Sequence, residues 1–423
     1  MNDFADAGVS PRTLAAIAGQ GITTPVPVQE HAIPALLDGR DVVIQAPTGS
    51  GKTLAFLVPL VEGIGESGPG PRALIVTPTR ELATQVHEVL QTLDHGVRVA
   101  LLYGGVGYAT QTLALKRGVD VVVGTPGRVL DMIGRKLLSL SRVEYLVLDE
   151  ADEMFDAGFA PDVERLIAMT YEPQTVLASA TMPSWVERMI QRHLKDPERI
   201  VVEPPEDSML EHGLAGMARA DKLTVLVDLL RKLDGSAIVF GRTKHGVHKL
   251  SQDLKKLGIH CAELQGDLSQ PRRDSTMAAF RDGRVTVLVA TNVAARGLDI
   301  SHVSLVVNYE LPDTPLLLTH RIGRTARMGQ AGWALTFVSP EDHGAWRKLR
   351  RLGAPDLPHV DVAHLLEEGG WRYQDAGAAH PVAAARGTNR TSPPREVKES
   401  RGRRRGGRHR GGRGKPGSVK SNL

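Results

Sequence analysis

The chain has 423 residues, 41% of them hydrophobic and 24% charged, enough for two or three domains with buried cores. A single cysteine, Cys261, excludes an intrachain disulfide and fits a reducing compartment. No apolar run approaches the roughly 20 residues of a membrane helix, and the first residues, with Asp3 and Asp6, lack the basic-then-apolar pattern of a signal peptide, so a cytoplasmic protein without a membrane partner is expected.

Short β-rich runs alternate with longer, partly helical segments. In the first half the runs are Val42–Ala46, Ala73–Thr77, Val99–Tyr103, Asp120–Gly124, Tyr145–Leu148 and Thr175–Ala178. Most are unbroken Val/Ile/Leu stretches, as strands buried on both faces require. Helical spacing appears between them, for example over Arg80–Leu93. Such βα alternation predicts a doubly wound, mainly parallel sheet. The pattern stops at Glu203–Gly216, which reads as a linker, and resumes with Ala237–Phe240, His260–Leu264, Thr286–Ala290, Ser304–Asn308 and Ala334–Val338. The fold class is therefore α/β, with two tandem domains: 1–203, a linker at 204–216, and 217–375. Residues Glu341–Trp371 read as a helical extension without an assigned task.

Residues 376–423 turn to Gly, Arg, Pro and Ser. Arg386–Leu423 carries 13 Lys/Arg against 2 Glu, or +11, which leaves −7 on the other 385 residues of a chain with net charge +4. Arg401–Gly414 has no apolar face to bury, so a disordered basic tail is expected. Its Arg-Gly-Gly elements suit weak, salt-sensitive binding of a nucleic acid; a merely solubilising end is the alternative.

The stretch Ala46-Pro47-Thr48-Gly49-Ser50-Gly51-Lys52-Thr53 follows a predicted strand and opens a helix. That is the setting of a phosphate-binding loop, whose backbone N–H groups and helix N-terminus favour phosphate oxygens. Lys52 can reach β- and γ-phosphates, and Thr53 can ligate Mg²⁺. An ordinary glycine-rich turn is the competing reading. Asp149-Glu150-Ala151-Asp152 directly follows the run Tyr145–Leu148, at the strand end where open α/β sheets bind ligands. Asp149 would hold Mg²⁺ and Glu150 would polarise a water. Alone, the same residues could be a solvated helix start.

With these motifs in view the sequence resembles the DEAD-box RNA helicases, from about Phe4 to Val338, and the resemblance implies two RecA-like domains. The family's further motifs follow in order: Pro78-Thr79-Arg80-Glu81-Leu82, Gly104-Gly105, Thr125-Pro126-Gly127-Arg128, Ser179-Ala180-Thr181, Gln265-Gly266-Asp267 with Gln270 and Arg273, Ala290–Ile300, and His320–Arg327. The resemblance implies ATP and Mg²⁺ as cofactors, and RNA backbone contacts from Pro78, Thr79, Arg80, Gly105, Thr125, Arg128, Gln265 and Thr291. It implies coupling of hydrolysis to strand separation through Ser179 and Thr181, ribose binding by Asp299, a link from His320 to the first domain's catalytic motifs, and arginine fingers at Arg324 and Arg327. Gly21–Gln29 resembles the adenine-reading motif, with Gln29 on the base edge. Ribonucleoprotein complexes are further expected partners.

Aromatics are only 4% of residues, which argues against a base-stacking platform and for backbone recognition. Three departures from the family pattern bear on efficiency. Ile22 stands where many relatives carry an aromatic, Asn292 where Asp is usual, and Ala326 where Gly is usual. If position 326 needs positive φ, alanine strains the turn. The expected function is an ATP-dependent RNA helicase that opens short duplexes or remodels RNA–protein complexes. A non-catalytic RNA scaffold or chaperone, and an ATPase that moves proteins or DNA, are the competing classes.

Overall fold

The computed structural model describes residues 3–64, 70–93, 96–203, 210–292, 303–326 and 331–362. Asp299, Arg327 and the basic tail lie outside the described residues. Two parallel sheets sit in one compact unit. The first contains β1 (Val42–Gln45), β2 (Ala73–Val76), β3 (Val99–Leu102), β4 (Val121–Gly124), β5 (Tyr145–Leu148), β6 (Gln174–Ser179) and β7 (Glu198–Val201), in the spatial order β3-β4-β2-β5-β6-β1-β7.

Alternate residues of each strand feed opposite faces. Val42, Ile44, Ala73 and Ile75 join a core with the helices Pro27–Leu37, Lys52–Gly63 and Arg80–Thr92. Val43, Leu74 and Val76 join a second core with helices Pro126–Gly134, Ala160–Ile167 and Ser184–His193. Both faces are thus covered, which is why these strands read as unbroken apolar runs.

The second sheet contains β8 (Leu210–Gly216), β9 (Ala237–Gly241), β10 (Cys261–Leu264), β11 (Val287–Thr291), β12 (Leu305–Asn308) and β13 (Gly332–Val338), ordered β10-β11-β9-β12-β13-β8. The assignment of 204–216 as a linker is corrected here over Leu210–Gly216; residues 204–209 lie outside the described ones. Leu210–Gly216 pairs in parallel with all of β13, from Leu210 opposite Gly332 to Gly216 opposite Val338. Its sequence, broken by His212 and two glycines, has poor strand propensity, but burial of Gly213, Leu214 and Ala215 overrides it. The far edge of β8 is also met: Leu214 N–H donates to Pro358 O and Val360 N–H to Leu214 O. Among the described residues the C-terminal extension includes the helix His343–Arg351, whose Trp346 and Leu349 pack with Leu214, Leu318 and Leu357.

The strand order sorts the motifs. β1, β6 and β5 are neighbours, so the ends carrying Ala46–Thr53, Ser179–Thr181 and Asp149–Asp152 lie side by side. β2, β4 and β3 form the other half and carry Pro78–Leu82, Thr125–Arg128 and Gly104-Gly105.

Candidate active site

The loop after β1 is anchored by the Ala46 N–H, which donates to Ser179 O at 3.1 Å. Gly49 and Gly51 turn it with φ of 85° and 93°. Gly51 has a second reason to be glycine: a Cβ there would stand 2.7 Å from both Gln29 Nε2 and Val26 Cγ2. Gln29 is buried, its Nε2 donating to Gly51 O at 3.1 Å and its Oε1 accepting from Val26 N–H at 3.1 Å. A carboxamide has two donors and two lone pairs, so Gln29 keeps one of each for another group while tying the Gly21–Gln29 segment to the loop after β1. Ile22 packs half-buried against the first core and offers no ring. Lys52 is buried, its ammonium donating to Ala46 O at 2.6 Å and Pro47 O at 2.8 Å.

The acidic motif is buried as a group. Asp149 Oδ1 accepts from Glu150 N–H at 3.0 Å, and Glu150 adopts the left-handed region with φ of 49°. Burial pushes both carboxyl groups above their ordinary range. The Glu150 charge adds to this at Asp149 and the Glu153 charge at Glu150, while Lys52 opposes at both. Asp152 behaves oppositely. Burial works against its charge, yet hydrogen bonds from His320 and Thr181 bring its pKa to about 2. Thr181 donates to Asp152 Oδ2 through both N–H, 2.8 Å, and hydroxyl, 2.7 Å. Ser179 Oγ donates to Thr181 O and accepts from Asp152 N–H.

The second sheet's motif reaches this cluster. His320 Nε2 lies 3.4 Å from Asp152 Oδ2, and His320 Nδ1 lies 3.5 Å from Glu153 Oε1. Arg324 Nη2 donates to Glu153 Oε1 at 3.2 Å. Glu153, with 2% exposure, escaped the sequence reading; a fourth acid directly after Asp149-Glu150-Ala151-Asp152 was the available signal.

Toward the other half of the first sheet, Thr79 caps the helix Arg80–Thr92 by accepting from Leu82 N–H. The Arg80 guanidinium lies over Gly105, whose hypothetical Cβ would be 2.7 Å from Nη1. Thr125 starts the helix Pro126–Gly134. Arg128 is committed within the protein: to Gln111 Oε1 at 3.1 Å, to Val106 O at 3.2 Å, and over the Tyr108 ring at 4.5 Å. It supports the 105–111 segment rather than projecting freely. Pro78 is buried. Thr291 is buried at the end of β11, while Gln265 caps its own turn by accepting from Asp267 N–H. Arg273 donates through Nη2 and Nε to Glu81 Oε1, at 2.6 and 3.2 Å, joining motifs of the two sheets.

Arg321 is buried beside Phe240 and donates to Asn292 Oδ1 at 2.5 Å, Asn308 Oδ1 at 3.0 Å and Glu310 O at 2.7 Å. Burial lowers its pKa to about 9; Asn292 supplies an acceptor but no charge. Ala326 has φ of 54°, as the sequence reading feared. An L-residue pays about 1 kcal/mol there, partly offset by about 0.5 kcal/mol because alanine has fewer unfolded states than glycine. Ala326→Gly is therefore expected to be neutral or to raise the thermal midpoint slightly. A clear fall in midpoint on differential scanning would show that alanine is accommodated without strain.

Known proteins share this arrangement. Residues 26–189 match the DEAD/DEAH box helicase family and residues 221–329 the helicase conserved C-terminal domain. The chain is 43% identical over 353 residues to the ATP-dependent RNA helicase CshA of Listeria monocytogenes, covering 82% of this chain and 68% of the relative. It is 41% identical over 371 residues to the DEAD-box ATP-dependent RNA helicase CshA of Geobacillus kaustophilus, covering 84% and 79%. Among solved structures, S. cerevisiae Dbp5 bound to RNA and ADP BeF3 superposes with a TM-score of 0.76 at 32% identity, over 86% of this chain and 97% of that one. With both sheets, both halves of the site and these likenesses in agreement, the chain belongs to the DEAD/DEAH box helicase family.

Proposed function

We infer that this protein is an ATP-dependent RNA helicase, hydrolysing ATP in an RNA-stimulated manner and separating short duplexes locally. One observation carries the mechanism: His320 and Arg324 of the second sheet reach Asp152 and Glu153 of the first, beside the phosphate loop. A nucleotide there lies between two bodies and acts as an adhesive between them, because phosphoryl transfer is accelerated mainly by positioning and charge stabilisation.

Backbone N–H groups of Thr48–Thr53 and the Lys52 ammonium would hold the phosphates. To do so, Lys52 exchanges its contacts with Ala46 O and Pro47 O for phosphate oxygens. Gln29 reads the adenine edge, with Asp299 on the ribose. The Thr53 hydroxyl and Asp149 carboxylate are hard oxygen donors that suit Mg²⁺, and a cation would favour the charged form that burial disfavours at Asp149. Mg²⁺, when bound, offsets phosphate charge. Glu150 orients the attacking water, and Arg324 with Arg327 meets the negative charge of the transferring group. Ser179 and Thr181, hydrogen-bonded to Asp152, relay the state of the site to the RNA-facing half of the sheet.

RNA is held by its backbone, through Pro78, Thr79, Arg80, Gly105, Thr125, Gln265 and Thr291, with Arg128 acting by supporting its neighbours. Closure on one bent strand excludes the second strand. Among the described residues no helix is long and apolar enough to cross a membrane, and we place the protein in the cytoplasm, acting on RNA or ribonucleoprotein complexes. Steady-state ATP hydrolysis alone, with single-stranded RNA, and with DNA of the same sequence is the test. Stimulation by RNA alone supports the reading. RNA binding without hydrolysis would instead favour the scaffold class.

The Arg/Gly tail adds affinity. Removal of residues after Arg386 is expected to weaken RNA binding and flatten its salt dependence, since fewer counterions are released, with maximal ATPase largely retained. Filter binding across a salt series checks this; identical slopes with and without the tail would exclude a tail contact.

A further inference from the structure

Glu153 is unusual among the residues of the cleft. It is a carboxylate with 2% exposure that joins the two sheets in the mechanism above but has no chemical role there. Its Oε1 accepts from Arg324 Nη2 at 3.2 Å and stands 3.5 Å from His320 Nδ1, while its Oε2 is buried with no hydrogen-bond partner among the described residues. A cavity of about 20 Å³ lined by Glu153, Asn292, His320, Arg321 and Arg324 adjoins it, room for a single water.

A guanidinium recognises carboxylate and phosphate by the same planar fork of N–H donors. An edge of Arg324 engaged with Glu153 must therefore leave it, wholly or in part, to meet a γ-phosphate. The position of Glu153 next to Glu150 gives the exchange a second consequence, because drawing Arg324 toward phosphate leaves two neighbouring carboxyl groups less compensated.

Resting on the ATPase reading, we propose that Glu153 is a positioning residue that holds the Arg324 finger in the cleft as a stand-in anion, so that ATP must compete for it. Glu153 then keeps RNA-independent turnover low. RNA-driven closure tips the exchange toward phosphate.

The test uses the full chain with Glu153→Gln, which removes the charge at nearly constant shape. The measurements are KM and kcat for ATP with and without single-stranded RNA, and equilibrium affinity for a non-hydrolysable ATP analogue. The expected result is a fall in KM of roughly tenfold, the lower end of the scale of one charge-assisted hydrogen bond, a matching gain in analogue affinity, and higher turnover without RNA. RNA-saturated kcat should change little. Loss of any negative charge near ATP could mimic the affinity gain, so the same substitution is made beside Arg324→Ala, where it must have no effect. Glu153→Asp, which keeps the charge, must restore the wild-type split between KM and kcat, and it also serves if the Gln variant fails to fold. A raised KM, a fall in RNA-saturated kcat, or an equal gain in the Arg324→Ala background overturns the proposal. If the wild-type chain hydrolyses no ATP at all, the ATPase reading fails, whereas the ratio of analogue affinities still decides the role of Glu153.

Discussion

Lys52→Ala and Glu150→Gln are each expected to abolish ATP turnover while leaving RNA binding in place. The two losses arise differently. Lys52 is buried in the loop after β1, and its removal takes away the one cation of Ala46–Thr53. Glu150→Gln keeps shape and removes the carboxylate proposed to orient water. Loss of an electrostatic or general-base contribution of this kind costs about 100-fold or more in kcat. Single-turnover hydrolysis in excess enzyme, alongside RNA binding by fluorescence anisotropy, gives the result directly. Normal turnover by both variants would remove this site from consideration.

Arg273→Ala is expected to give the second large effect, away from the loop after β1. Arg273 and Glu81 form a largely buried ion pair between the two sheets' motifs, with side-chain exposures of 6% and 17%. Removing one partner of a buried pair costs on the order of 3 kcal/mol, because the other charge stays desolvated. Here that cost falls on closure. The RNA concentration for half-maximal stimulation should rise by roughly 100-fold, with ATP turnover in the absence of RNA little changed. The pair is isolated by a double-mutant cycle with Glu81→Gln. Additive losses from the two single variants would show that the contact does not contribute to closure.

What the sequence made legible follows from burial. Strands such as Ala73–Val76 and Val121–Gly124 are fully buried and announce themselves as apolar runs. In β7, Ile200 is the buried residue of Glu198–Val201, so nothing distinguishes that strand from a loop. β8 hid for another reason: its partner, β13, begins at Gly332, far along the chain, and no local pattern encodes such a pairing. The motif residues were readable as chemistry because nucleotide and phosphate binding restrict residue type tightly. Their mutual engagement was not. Arg273 meets Glu81 across 192 positions, Gln29 meets Gly51 through a backbone carbonyl, and Arg128 turns inward to Gln111. The concern over Ala326 was testable from sequence alone because a glycine-to-alanine departure makes a specific claim about φ, and the turn is indeed left-handed.

The pairing of Leu210–Gly216 with β13 decides where the second domain can be excised. A fragment begun at residue 217 would strip β13 of its neighbour along seven register positions, leaving a long apolar edge open to other chains. Ending the fragment before Val360 would in turn uncover β8, since Pro358 and Val360 hydrogen-bond to Leu214. The autonomous piece therefore starts before Leu210 and runs past Val360, and shorter versions are predicted to aggregate on refolding even though every motif residue of the domain is present.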